Sequence, residues 1–145
     1  MLTDAGLFLN LASTLIRQDI RNNSAWNQRW FVCHRGKSVP MNVAVAREEG
    51  DFAMEHARED PYNESPWRYL IGILKEQQRV VQAKDDLHSL LLEYEARARD
   101  LEGVLTKANR NPDACVNRTS ARVDLLEMIG TKESVTTAIA LAEGL

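Results

Sequence analysis

Two stretches of this chain share one pattern, Asp19-Ile-Arg-Asn-Asn-Ser-Ala-Trp26 and Asp60-Pro-Tyr-Asn-Glu-Ser-Pro-Trp67. Asp, Asn, Ser and Trp recur at matching positions, 41 residues apart. In each copy the polar residues follow one segment with helical periodicity, and the tryptophan lies in the next. Asp, Asn and Ser side chains accept hydrogen bonds from the free N–H groups at a turn, while a Trp fills the space between packed helices. The repeated pattern predicts stacked helical hairpins rather than a simple bundle.

Most of the remaining sequence also has the periodicity of amphipathic helices, with apolar residues three and four positions apart. The stripes are Leu7, Phe8, Leu11 and Leu15; Trp26, Trp30 and Cys33; Trp67, Leu70, Ile71 and Leu74; and Leu87, Leu90, Leu91, Tyr94, Ala98, Leu101 and Leu105. The last stripe has a step near that of a coiled coil, but it lasts less than three heptads, so we expect it to pack inside the helical array.

Other helices have weaker signals. The segment 42–59 is weakly amphipathic, with Val45, Phe52, Ala53 and Ala57 as its apolar residues, and Gly50 in its middle costs about 1 kcal/mol relative to alanine. Ser65-Pro66 is expected to open the helix that carries Trp67, with Ser65 as the N-cap. Two shorter helices are expected over residues 120–129 and 132–143. The sequence therefore predicts an all-α fold, an α–α superhelix of antiparallel helical hairpins in a single domain over residues 1–145.

Composition excludes several classes of protein. The 145 residues carry 18 basic and 21 acidic side chains, a net charge of −3, which argues against a protein whose main partner is nucleic acid. Two cysteines, Cys33 and Cys115, cannot form a disulfide framework, and no CxxC pair is present. We find no signal peptide and no apolar run of the length needed to span a membrane. These features predict a soluble cytoplasmic protein.

The motif residues resemble a known family. Asp19-Ile-Arg-Asn-Asn-Ser-Ala-Trp-Asn-Gln-Arg-Trp-Phe-Val32 is similar to a repeat of the α subunit of protein farnesyltransferase and geranylgeranyltransferase type I, and Pro61-Tyr-Asn-Glu-Ser-Pro-Trp67 is similar to the next repeat. The similarity is strong over residues 11–77, fades over 80–117 and returns weakly over 123–141. The repeat residues it singles out, which we also consider for contact with a β subunit, are Arg21, Asn22, Asn23, Trp26, Asn27, Arg29, Asn63 and Trp67.

The resemblance implies a crescent of hairpins wrapped around an α/α-barrel β subunit. The heterodimer would attach a farnesyl or geranylgeranyl group to the cysteine of a C-terminal CaaX sequence, taking the group from an isoprenoid diphosphate. The family uses zinc and magnesium, with the zinc held by the β subunit and no cofactor on this chain. The family's catalytic Lys-Asn-Tyr lies in repeats upstream of those matched here, and this chain has Arg21-Asn22-Asn23 at the matching position. The resemblance thus implies a C-terminal part of a longer α subunit, inactive alone, with no catalytic residue and no metal ligand of its own.

Other candidate sites have simpler interpretations. His34, His56 and His88 lack metal-ligand spacing, so we expect them to be solvated helix residues. Arg21 and Arg29 could approach a diphosphate, since guanidinium groups suit phosphate geometry, but for Arg29 bonds to neighbouring turns or to the β subunit are favoured. The alternative function is a stand-alone helical-repeat scaffold that binds proteins without catalysis. The sequence does not choose between the farnesyl and geranylgeranyl groups.

Overall fold

The computed structural model of the chain describes residues 11, 13–18, 23–35, 42–80, 84–107 and 115–145. Residues 11 and 13–18 are helical, and six longer helices follow within the described part. These are α1 (Asn23–Arg35), α2 (Val43–Glu59), α3 (Glu64–Val80), α4 (Lys84–Lys107), α5 (Val116–Ile129) and α6 (Lys132–Glu143). The described residues contain no β-strand, which confirms the predicted all-α class. No helix among them is long and apolar enough to cross a membrane.

The helices pack in two layers. In one layer α1 contacts α3 and α3 contacts α5, and in the other α2 contacts α4. The pairs α2–α3 and α5–α6 are joined by short connections and pack extensively against each other. Contacts of α1 with α3, of α2 with α4 and of α3 with α5 are the arrangement of a solenoid of helical hairpins. This confirms the predicted superhelix.

The core includes the stripes predicted for α3 and α4, together with residues of other helices such as Trp26, Ala53 and Leu125. Trp67, Leu70, Ile71 and Leu74 of α3 are buried, as are all seven residues of the α4 stripe. Because both helices direct a whole stripe inward, α3 and α4 form the centre of the described structure. The first predicted stripe is partly wrong, since Leu11 is 53% exposed and Ile16 is fully buried instead. Leu7 and Phe8 lie outside the described residues.

The buried face of α2 differs in part from the predicted one, since Ala53 and Ala57 are buried as predicted but other members of the face are not those expected. Its innermost residues are small, with Ala46, Gly50, Ala53 and Ala57 following a helical stripe, whereas Val45 and Phe52 are only partly buried. Gly50 is where Tyr94 of α4 crosses, and a Cβ there would lie 2.6 Å from the Tyr94 Cζ atom. Gly50 thus provides room for close helix packing, which its propensity cost alone did not reveal.

Two helix starts also differ from the prediction. Asn63, not Ser65, caps α3, because its Oδ1 accepts a hydrogen bond from the Ser65 N–H at 3.1 Å and the helix begins at Glu64. α5 begins at Val116, four residues before the predicted start. The break between α5 and α6 is as predicted. Gly130 has a left-handed φ of 74°, and its N–H donates to the Leu126 carbonyl.

Candidate functional site

The second copy of the motif forms a compact turn between α2 and α3. The Asp60 carboxylate accepts from the Tyr62 N–H at 3.2 Å, and the Asp60 carbonyl accepts from the Asn63 N–H at 3.1 Å. The Trp67 indole N–H reaches back to the Pro61 carbonyl at 2.9 Å. The polar residues therefore satisfy the backbone of the turn, as the sequence predicted, and the Trp67 hydrogen bond also fixes the turn to α3.

The start of α5 contacts the same turn. The Cys115 thiol lies 3.0 Å from the Pro61 carbonyl and donates to it, while the Asn117 amide donates to the Tyr62 carbonyl at 2.8 Å. Burial raises the pKa of the Cys115 thiol, which keeps the thiol protonated as a donor. These contacts join one repeat to the next. These two hydrogen bonds do not follow from the sequence pattern, because the residues that they join are more than 50 positions apart.

Arg29 of the first copy is part of a buried ion pair with α2. Its Nε and Nη2 atoms donate to the two carboxylate oxygens of Glu49 at 2.6 and 2.9 Å. The Tyr69 hydroxyl of α3 donates to the same carboxylate at 2.6 Å, and the guanidinium lies 3.7 Å from the centre of the Phe52 ring. A further guanidinium N–H donates to Ser13. The charge of Arg29 is thus paired with Glu49 within the chain. The Glu49 carboxylate of α2 binds donors from α1 and α3, so three helices meet there.

Trp26 lies beside this ion pair in an aromatic cluster. Its ring centre is 5.0 Å from that of Tyr69, 5.5 Å from Phe52 and 5.9 Å from the His56 imidazole. The prediction of a solvated histidine is wrong for His56, which is buried and 3.2 Å from the Glu59 carboxylate. It is correct for His88, which is exposed, and the His34 side chain lies outside the described part of the chain. Trp26 therefore joins α1, α2 and α3.

A second buried ion pair joins α4 and α5. Arg122 donates to Glu95 through Nε and Nη2 at 2.9 and 2.8 Å. Arg122 thus pairs with the helix that precedes its own, whereas Arg29 pairs with the helix that follows its own.

Four of the five predicted repeat residues whose side chains the structure describes are buried. Trp26, Arg29, Asn63 and Trp67 are buried, and Asn27 is exposed. Asn23 is the first residue of α1, while Arg21 and Asn22 lie outside the described residues. The buried residues hold the helices and the turn together through the contacts described above. Contact with a β subunit stays a prediction.

Asn27 lines a groove of about 670 Å³ between α1 and α3. It is lined by Trp26, Asn27, Trp30, Asn63, Glu64, Ser65, Arg68, Tyr69 and Gly72. A Cβ on Gly72 would lie 3.0 Å from the Trp30 ring, so this glycine leaves the indole edge open. The two charged groups, Glu64 and Arg68, pair with each other at 3.1 Å. The groove therefore has hydrogen-bonding and apolar groups that suit binding of another surface.

The described residues do not supply a metal site. They contain no group of three or more His, Cys, Asp or Glu side chains able to hold an ion. The buried carboxylates of Glu49 and Glu95 each form an ion pair with an arginine. This donor set does not fit the zinc that the family resemblance implies for the heterodimer.

Comparison with known families bears directly on the first copy of the motif. Residues 8–36 match the family model described as "Protein prenyltransferase alpha subunit repeat". Residues 8–36 are therefore similar to the repeat of prenyltransferase α subunits. Trp26 and Arg29 of this repeat are the residues that bind α1 to α2 and α3, which gives the match a structural basis.

Two curated relatives of this chain are named as prenyltransferase α subunits. The chain is 37% identical over 89 residues to a protein farnesyltransferase/geranylgeranyltransferase type-1 subunit alpha of Dictyostelium discoideum, covering 61% of this chain and 27% of the relative. It is 39% identical over 84 residues to the protein of that name in Pisum sativum, covering 58% of the chain and 25% of the relative. The matches thus span about a quarter of these prenyltransferase subunits. No solved structure matches the chain significantly.

Proposed function

We propose that this chain acts as part of the α subunit of a heterodimeric protein prenyltransferase in the cytoplasm. The enzyme would transfer a farnesyl or geranylgeranyl group from an isoprenoid diphosphate to the cysteine of a C-terminal CaaX sequence. The observation that carries the proposal is the α-subunit repeat at residues 8–36, whose Trp26 and Arg29 form the interhelical network. The names of the relatives support the same assignment.

The contribution of this chain is architectural. Trp26, Arg29 and Trp67 hold the helices through buried contacts, so they position neighbouring surfaces rather than touch a substrate. Asn27 and Arg68 line the groove between α1 and α3 with exposed side chains. We propose that this groove contacts the β subunit, because its polar rim and partly open Trp30 ring resemble the mixed composition of protein interfaces.

The metals belong elsewhere in this proposal. Zinc would be held by the β subunit, and magnesium would act in the assembled heterodimer. The described residues of this chain offer no ligand group for either, since none of them forms a cluster of three donors. We propose no catalytic residue on this chain, since it has Arg21-Asn22-Asn23 at the position that matches the family's catalytic Lys-Asn-Tyr.

The test is transfer of labelled isoprenoid to a CaaX peptide, with zinc and magnesium present. The purified chain is assayed alone, a family β subunit is assayed alone, and the two are assayed after mixing and gel filtration. We expect no transfer by the chain alone, and we expect the chain to co-elute with the β subunit. Turnover by the chain alone would contradict the proposal.

Variants of the groove make the test specific. Arg68→Glu reverses a charge on the rim of the groove. It should weaken binding to the β subunit by about tenfold or more, since like charges brought together at an interface cost several kcal/mol. Glu48→Ala, an exposed change on α2 outside the groove, is the control and should leave binding unchanged. If the unmodified chain binds no β subunit, the scaffold alternative replaces the enzyme-subunit proposal.

A further inference from the structure

The last helix, α6, exposes most of its surface to solvent. Among the described helices it packs substantially only against α5, and its buried side chains are Ser134 and Ala138. Val135 and Ile139 are 38% and 56% exposed. The sequence from Ser134 to Ala142 contains no charged residue. α6 therefore has an exposed face, uncharged along its middle, with no partner in the described structure.

The direction of this face follows from helix geometry. Successive residues are rotated by about 100°, so the face opposite Ser134 and Ala138 consists of residues spaced by four, three and four. These residues are Lys132, Thr136, Ile139 and Glu143, with Val135 and Ala140 on either side. The Thr136 hydroxyl donates to the Lys132 carbonyl at 2.8 Å. Burial of Thr136 would thus leave no hydroxyl without a partner, so it can pack through its methyl group.

The order of residues on this face is self-complementary. If two copies of α6 lie antiparallel about a two-fold axis at mid-helix, Lys132 of one copy faces Glu143 of the other. By the same symmetry Ile139 faces Thr136, and Val135 faces Ala140. Each large side chain then meets a smaller one, and each end carries an opposite-charge pair. A face that matches itself in this way is what a two-fold symmetric contact requires.

The charges at the two ends of α6 support the same pairing. Glu143 lies at the C-terminus of α6, which is unfavourable for the helix dipole, whereas at the N-terminus Lys132 is offset by Glu133 in the first turn. In an antiparallel pair Glu143 lies beside Lys132 of the partner helix. Pairing would therefore offset an electrostatic cost that α6 has when it is alone.

We propose that α6 is a homodimerisation surface, on which a second copy of this chain packs antiparallel through Lys132, Thr136, Ile139 and Glu143. The contact is only 12 residues long, and it covers less area than a standard stable interface. The dimer should therefore be weak and reversible. This surface is separate from the α1–α3 groove and does not depend on the proposed enzyme role.

Sedimentation equilibrium of the full chain tests the proposal, over about 10 to about 500 µM, where a small interface is expected to associate. We expect a monomer–dimer equilibrium in this range. Ile139→Glu places a charge at the centre of the contact and should weaken the dimer by about tenfold or more. Thr137→Glu is the matched control, because Thr137 is exposed on α6 outside the proposed seam, and it should leave dimerisation unchanged.

Charge reversal tests the antiparallel order. Lys132→Glu alone should weaken the dimer, and adding Glu143→Lys should restore it. The double variant also improves the charges at both ends of the helix dipole, so far-UV circular dichroism should show retained helix. A chain that stays monomeric throughout the range overturns the proposal. Dimerisation that is unaffected by Ile139→Glu, or not restored by the double variant, also overturns it.

Discussion

At the scale of single residues, the repeat motif is chiefly a set of buried polar contacts. Arg29 binds Glu49, Tyr69 binds the same carboxylate, and Trp67 binds the Pro61 carbonyl. A buried carboxylate is tolerated only when it is paired and fully hydrogen-bonded. Glu49 meets this condition with donors from α1 and α3, so its charge fixes the relative positions of three helices.

Glu49→Gln should therefore be strongly destabilising. The substitution leaves the Arg29 guanidinium buried without its carboxylate, and breaking a buried pair in this way costs about 3–5 kcal/mol. Urea denaturation should show this loss in the free energy of unfolding. Glu48→Gln, on the exposed neighbour, should change it by less than about 0.5 kcal/mol. Equal effects of the two variants would mean that the ion pair does not stabilise the fold.

Trp67→Ala should destabilise the chain by about 3–5 kcal/mol, the usual cost of removing a buried aromatic side chain. Trp67 is 2% exposed and also donates to the Pro61 carbonyl. Leu92→Ala, at a residue of α4 that is 47% exposed, is the control and should have a small effect. A loss below about 1 kcal/mol for Trp67→Ala in the same urea experiment would show that the stack does not depend on this residue.

At the scale of helices, the sequence predicted most of the elements because their signals are local. The stripes of α3 and α4, the Gly130 break and the bounds of α6 all follow from residues within one or two turns. The start of α5 was missed because residues 116–119 have no apolar stripe. Their signal is tertiary, since Asn117 binds the Tyr62 carbonyl and Arg118 binds the Ala98 carbonyl.

The candidate site was less predictable than the helices. The motif identified Trp26, Arg29, Asn63 and Trp67, but the partners of Arg29 could not be inferred. Glu49 is 20 positions from Arg29, and nothing in a single sequence distinguishes it from the neighbouring Glu48. The same reason explains why the Arg122–Glu95 pair was missed. Long-range pairing depends on how the hairpins stack, which helix periodicity does not specify.

Two glycines should respond to alanine in opposite directions. Gly130 has a φ of 74°, so Gly130→Ala places a Cβ in a left-handed conformation and should cost about 1–2 kcal/mol. Gly103 is in α4, and no atom lies within 4 Å of the position that a Cβ would take there. Gly103→Ala should therefore stabilise the chain by about 0.5–1 kcal/mol. Thermal unfolding of both variants provides the measurement. A stabilised Gly130→Ala would show that the α5–α6 turn has a different backbone conformation.

At the scale of the whole molecule, stability should fall at alkaline pH. Burial and the nearby Asp51 carboxylate raise the pKa of Tyr94 above its ordinary value near 10. A raised pKa in the folded state means that the contribution is complete below the unfolded pKa and is lost as pH rises above it. Urea midpoints should therefore decrease above about pH 10, and Tyr94→Phe should show a smaller decrease. An identical pH dependence in both proteins would contradict this assignment.

We propose that these hairpins form part of an α subunit that works through a β subunit. The most direct measurement is the mass of the species formed when the purified chain is mixed with a family β subunit, by gel filtration with light scattering. We expect a complex with one β subunit per chain, weakened by Arg68→Glu and unaffected by Glu48→Ala. Separate elution of the chain and every β subunit tested would contradict it.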